Sequence, residues 1–174
     1  MTALLGLAAF ALLVYFEICK CAGVKKGRAS FNPWFIAGTA VLILTWVLLF
    51  ARNTVSAAPL RYAGAVFTAV SVFVYYRVLA ETSKEAAYTE NRLIVPVYKG
   101  GTYSKMRHPG VWCFAAVCLG ITLIIPGAWA VNLMLAILNL VYCILQDRYF
   151  FPVYLEGYEE YKHEVPFCIP VKGR

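Results

Sequence analysis

Arg107 and His108 stand directly before Pro109, where the polar run Thr102-Tyr103-Ser104-Lys105-Met106 gives way to an apolar stretch beginning at Val111. Proline suits the first turn of a helix, where its missing N–H costs nothing. Pro109 therefore opens a helix with a guanidinium and an imidazole at its amino end. The free N–H groups and the positive dipole end of such a helix already favour an anion, and the guanidinium extends this to a site for a carboxylate or phosphate. The plainer alternative is a basic anchor, in which Lys105, Arg107 and His108 reach lipid headgroups.

A second group of polar residues recurs at heptad spacing. Asn132, Asn139 and Gln146 fall on one face of a helix, with Cys143 one turn from Asn139 on much the same side. Three carboxamides in lipid are costly unless they face protein or a cavity, so interhelical hydrogen bonding is the first expectation for Asn132 and Asn139. Gln146 and Asp147 differ in sitting at the mouth of the segment. A turn at Pro126-Gly127 returns that mouth to the surface of Arg107 and His108. Cations on one wall and an acid and an amide on the other complement a zwitterion, and the amino-acid end of S-adenosylmethionine is one candidate. Glu17, a lone acid near a membrane boundary, calls for a partner. Thr39, Thr45, Thr68 and Ser71 read as packing residues bonded to helix backbone or a neighbouring helix. Cys19 and Cys21 resemble half of a metal site, but no cluster at zinc spacing completes it, so no metal is expected.

The elements that must position these residues are written in the composition. Apolar residues make up 61% of the 174 and charged residues 14%, against averages of about 45–50% and about 25% in soluble domains. The expected fold is all-α, a single polytopic membrane domain. Five apolar stretches, at 3–19, 34–50, 63–79, 111–125 and 129–145, each approach the roughly 17–25 residues a spanning helix needs. Residues 1–80 hold three membrane helices. Residues 81–174 hold a polar loop broken by Pro96 and Gly100-Gly101, a helical hairpin, and a partly helical C-terminal segment. No Lys or Arg precedes the first stretch, so it reads as a span and not a leader.

Basic residues cluster after the first, third and fifth stretches (Lys20, Lys25, Lys26 and Arg28; Lys84, Arg92, Lys99, Lys105 and Arg107; Arg148, Lys162, Lys172 and Arg174), with Arg77 at the third's end. Arg52 and Arg61 fall opposite. This asymmetry predicts an outside N-terminus and a cytoplasmic C-terminus. The net charge of +7 then reflects topology and attraction to anionic membrane lipids, not nucleic acid. The six cysteines should be reduced thiols. The aromatic tail, too polar to span, suits an interfacial segment closing the mouth, and Glu159, Glu160 and Lys162 read as a solvated helix face.

Gly101-Thr102-Tyr103, Arg107-His108-Pro109, the apolar hairpin, Gln146-Asp147, Tyr158, Tyr161, Val165-Pro166 and Ile169-Pro170 together resemble the isoprenylcysteine carboxyl methyltransferase and phospholipid methyltransferase group of membrane enzymes, over roughly the last half of the chain. The resemblance implies an S-adenosylmethionine pocket open to the cytosol, closed by the C-terminal segment, with a lipid-facing tunnel for the acceptor. It implies cofactor contacts from Tyr103, from Arg107 and His108 at the amino-acid end, from Asp147 with Gln146 at the amino group, and from Tyr161 and Pro166 along the adenosine side. The chain departs from that pattern at Val111 and Cys113, where the family often has tyrosine and glycine, and at Gln146, where a glutamate is common. The implied reaction is direct displacement at the sulfonium methyl, with alignment and water exclusion as the protein's share. Acceptors would be lipophilic: a prenylcysteine carboxylate, an aminophospholipid or another isoprenoid. Two alternatives stay open, a scaffold or sensor retaining the fold without activity and an NADPH-dependent enzyme resembling steroid 5-alpha reductases. No catalytic base is named by the sequence.

Overall fold

A computed structural model describes residues 1–27, 33–86 and 93–170. It is an all-α polytopic membrane architecture. Helices α1 (Thr2–Lys25), α2 (Trp34–Arg52) and α3 (Ala58–Ala86) precede the hairpin of α4 (Gly110–Ile124) and α5 (Trp129–Leu145). The short helices α6 (Phe151–Tyr154) and α7 (Tyr158–Glu164) follow. Among the described residues, four spans have the length and hydropathy to cross a membrane: α1, α2, residues 58–82 of α3, and residues 126–154, which join α5 to α6; α4 is a shorter apolar helix. Both α1 and α3 run past the apolar stretches that announce them, because helical hydrogen bonding continues through the polar residues at their ends. Arg28, Arg92, Lys172 and Arg174 lie outside the described residues, as does the side chain of Lys84.

The packing places α5 centrally: α1 packs on α2 and α5, and α4 packs on α5 and α3. Two glycines make the lateral contacts tight. A Cβ on Gly120 would stand 2.3 Å from Thr68 Oγ1, and one on Gly38 would stand 3.0 Å from the Ala9 carbonyl. Small residues let helix backbones approach in lipid, where no hydrophobic effect drives them together. Thr39, Thr45, Thr68 and Ser71 each bond a carbonyl four residues back, at 2.8 to 2.9 Å. The interior closes on Phe10, Leu13, Phe114, Cys118 and Leu135.

Asn132 is 2% exposed and bridges three helices. It accepts from Trp46 Nε1 at 3.2 Å and donates to Thr122 Oγ1 at 2.9 Å, the interhelical bonding expected of it. The fifth helix ends at Leu145, as its apolar stretch predicts, but the chain continues through a π-turn (Gln146–Phe150) into α6. Such turns insert a residue into the helical ladder and recur at functional sites. A two-residue parallel pairing of β1 (Val95–Pro96) with β2 (Leu155–Glu156) ties the polar loop to the tail.

Candidate functional site

The α4–α5 hairpin brings Arg107 and Asp147 to the same end of the bundle and into direct contact. Arg107 donates from Nε to Asp147 Oδ1 at 2.8 Å and from Nη2 to Oδ2 at 3.1 Å. Its Nη1 donates to the carbonyls of Lys162, at 2.9 Å, and Val165. Four of the guanidinium's five N–H groups are thus engaged. His108 Nε2 lies 3.2 Å from Asp147 Oδ1, and the Tyr158 hydroxyl donates to the same oxygen at 2.7 Å. The side chains of Arg107 and His108 are 9% and 5% exposed. They are therefore not headgroup anchors, and the anion they engage is internal. Lys105 alone of the three basic residues is exposed.

The tail is fastened by the same stretch of backbone. The Arg107 and His108 N–H groups donate to the carbonyls of Pro166 and Phe167, both at 2.9 Å. Trp112 Nε1 donates to the Cys168 carbonyl at 2.6 Å and Tyr161 OH to the Tyr103 carbonyl at 2.5 Å. The His108 ring stacks on Phe151 with planes 7° apart. Tyr158, Tyr161 and Val165 form a buried cluster, while Glu159 and Glu160 face outward, as a solvated face requires. Burial raises the Tyr158 phenol well above its ordinary pKa, and its hydrogen bond to Asp147 adds to this. Burial also raises Tyr161, partly offset by Arg107.

Beside this tie lies a cavity of about 770 Å³, within the range of small-molecule sites. Tyr103, Arg107, His108 and Gln146 line it, so four of the residues expected at a cofactor site share one wall. Asp147, Tyr161 and Pro166 do not line it. Asp147 lies behind Arg107 with its oxygens taken, and Tyr161 and Pro166 secure the tail. Val111 and Cys113 are likewise absent from the wall. Along α5 the cavity descends from Gln146 to Asn139, about 10 Å at helical rise. Asn139, expected to bond across helices, has an Nδ2 without a partner among the described residues. The wall also includes Phe35 and Leu79, which are 50% and 49% exposed. The lining thus combines polar groups with apolar side chains exposed on the outside of the bundle.

Several wall residues carry no local sequence signal. Glu17, 2% exposed, finds the partners its depth demands: Tyr142 OH at 3.0 Å, Gln146 Nε2 at 2.6 Å and Tyr154 OH at 2.9 Å. The spacing of Tyr142 and Gln146, four residues apart, could have marked them as one face. Nothing local marked Tyr154 or Tyr75, and Lys20 stood out only as one of the basic residues behind the topology. Glu81, which does not line the cavity, is legible only as the start of a polar stretch. Its carboxylate accepts from Thr102 N–H at 2.8 Å and Thr102 Oγ1 at 2.9 Å, holding the turn that begins at Gly101. That glycine has φ of 53°, and a Cβ there would stand 2.4 Å from the Glu81 carboxylate, so conformation and space both call for glycine.

Compared with models of protein families, with curated proteins and with solved structures, the chain shows no match.

Proposed function

We propose that this chain is an integral membrane methyltransferase that takes its methyl group from S-adenosylmethionine and passes it to a lipophilic acceptor at the cytoplasmic membrane surface. The observation carrying this reading is one cavity whose wall holds both the polar groups of Arg107, His108 and Gln146 and the exposed apolar side chains of Phe35 and Leu79. A charged nucleoside and an apolar acceptor can lodge side by side in such a cavity. The wall residues fit a cationic nucleoside: the faces of Tyr75 and Tyr103 suit an adenine or a sulfonium, and the Gln146 carboxamide offers its oxygen, its nitrogen being engaged by Glu17. The cofactor, when bound, supplies a methyl group activated on sulfonium sulfur. The chain's own share is positioning and exclusion of water. Asp147 orients Arg107 and His108, and these fasten the tail beside the cavity.

Calorimetry on the protein in lipid nanodiscs tests this with S-adenosylmethionine, S-adenosylhomocysteine and NADPH. Saturable binding of the first two alone is expected. Silence with both sinks the reading, and binding of NADPH alone moves the chain to reductase chemistry. A second reading, a scaffold that keeps the fold without activity, is favoured by one feature. Both Asp147 oxygens are bonded within the chain, Oδ1 by Arg107, His108 and Tyr158 and Oδ2 by Arg107, so the motif accounts for itself structurally.

A further inference from the structure

Glu17 and its surroundings form a cluster that the Arg107 motif does not use. A carboxylate offers about four lone-pair positions. Oε1 of Glu17 accepts from Tyr142 and Gln146, while among the described residues Oε2 accepts only from the Tyr154 hydroxyl, so the open position is on Oε2, at the hydroxyl end of Tyr154. One turn along α1, the Lys20 ammonium stands 3.6 Å from the centre of that ring. Glu17, Lys20 and Tyr154 all line the cavity. An aromatic face next to an acid is the arrangement that recognises organic cations, and here an ammonium already sits on it. It is held by a flexible four-carbon stem that can swing away.

We propose that Glu17 and Tyr154 form a binding site for a primary ammonium, filled by Lys20 in the free chain and yielded to the ammonium of an entering ligand. A ligand carboxylate would meet Glu17 as a like charge, and an alcohol would gain only a neutral hydrogen bond. Two sources of the cation suit this wall: the amino-acid end of a nucleoside cofactor, and the amine head of a lipophile. The inference deepens the methyl-transfer reading and rests on it for the choice of nucleoside.

The test measures binding of S-adenosylhomocysteine, and separately of decylammonium, decanol and decanoate, to the full chain in phosphatidylcholine nanodiscs. Lys20→Met vacates the site and should tighten binding of the ammonium ligand roughly fivefold. Glu17→Gln should weaken it roughly tenfold or more. A response confined to S-adenosylhomocysteine assigns the site to the cofactor, and one confined to decylammonium, with decanol and decanoate unaffected, assigns it to the acceptor. Both outcomes support the site. Equal affinity for all three decyl compounds, together with S-adenosylhomocysteine binding unmoved by either variant, overturns it. If Glu17→Gln fails to fold, Lys20→Met still decides, since unchanged or weaker binding of both ammonium ligands contradicts a site that Lys20 blocks. Failure of the methyl-transfer reading looks different: the unsubstituted protein then ignores S-adenosylhomocysteine altogether, whatever the decylammonium arm shows.

Discussion

The Arg107–Asp147 pair carries more structure than its two residues suggest. The guanidinium joins the start of α4 to the π-turn after α5 and to two carbonyls of the tail. Removing one partner of a buried pair leaves the other charged and unpaired, at a cost of about 3–5 kcal/mol. Asp147→Ala is therefore expected to lower the unfolding midpoint in detergent and to expose the tail to limited proteolysis. A variant that resists protease like the parent argues against the tie. Asn139 makes the opposite case. Its unpartnered Nδ2 costs about 1–3 kcal/mol of desolvation, so Asn139→Leu should hold or raise stability while altering whatever binds at the cavity floor. A loss of stability would mean that the amide has a structural partner. Sequence reasoning reached Arg107, His108, Gln146 and Asp147 because charge beside a membrane-length stretch is conspicuous. It placed ligand between cation and acid, however, because spacing along two helices does not reveal that the side chains close on one another.

At the scale of elements, the helices were legible and their ends were not. Hydropathy specifies where a chain can lie in lipid, whereas a helix stops where its hydrogen bonding is interrupted, as the overruns of α1 and α3 show. The α3–α4 contact depends on Gly120, where an added Cβ would meet Thr68 Oγ1 at 2.3 Å and its backbone at 3.1 Å. Gly120→Val should separate the two helices and reduce the yield of monodisperse protein, with Gly120→Ala intermediate. Parent-like behaviour of the valine variant would show the contact to be dispensable. The tail responds to alkali. Tyr158 and Tyr161 have folded pKa values raised above the unfolded value of about 10, chiefly by burial. Above that pH the unfolded chain loses these protons while the folded chain keeps them. Stability is then complete below about pH 10 and falls as pH rises beyond it. Tyr158→Phe should flatten this alkaline slope in a thermal-melt series, and an unchanged slope would remove Tyr158 from the account.

For the whole molecule, the basic asymmetry predicts one orientation, with the end of the bundle that holds Arg107 and His108 facing the cytoplasm. An impermeant protease added to right-side-out vesicles should spare a C-terminal epitope and remove it once the vesicles are opened. Loss before opening reverses the orientation. Composition and apolar spacing sufficed to establish an all-α membrane protein with a hairpin returning Gln146 and Asp147 to the level of Arg107, since the cost of burying polar backbone in lipid leaves few architectures. Other features exist only in three dimensions: the engagement of Asp147 by Arg107, the delivery of Glu17 from α1 to Tyr142, Gln146 and Tyr154 on the far half of the chain, and the cavity between them. Glu17 and Tyr154 are 137 residues apart. No local period or motif links such positions, and their meeting follows from how five helices pack, which is decided by side-chain shape and close glycine contacts.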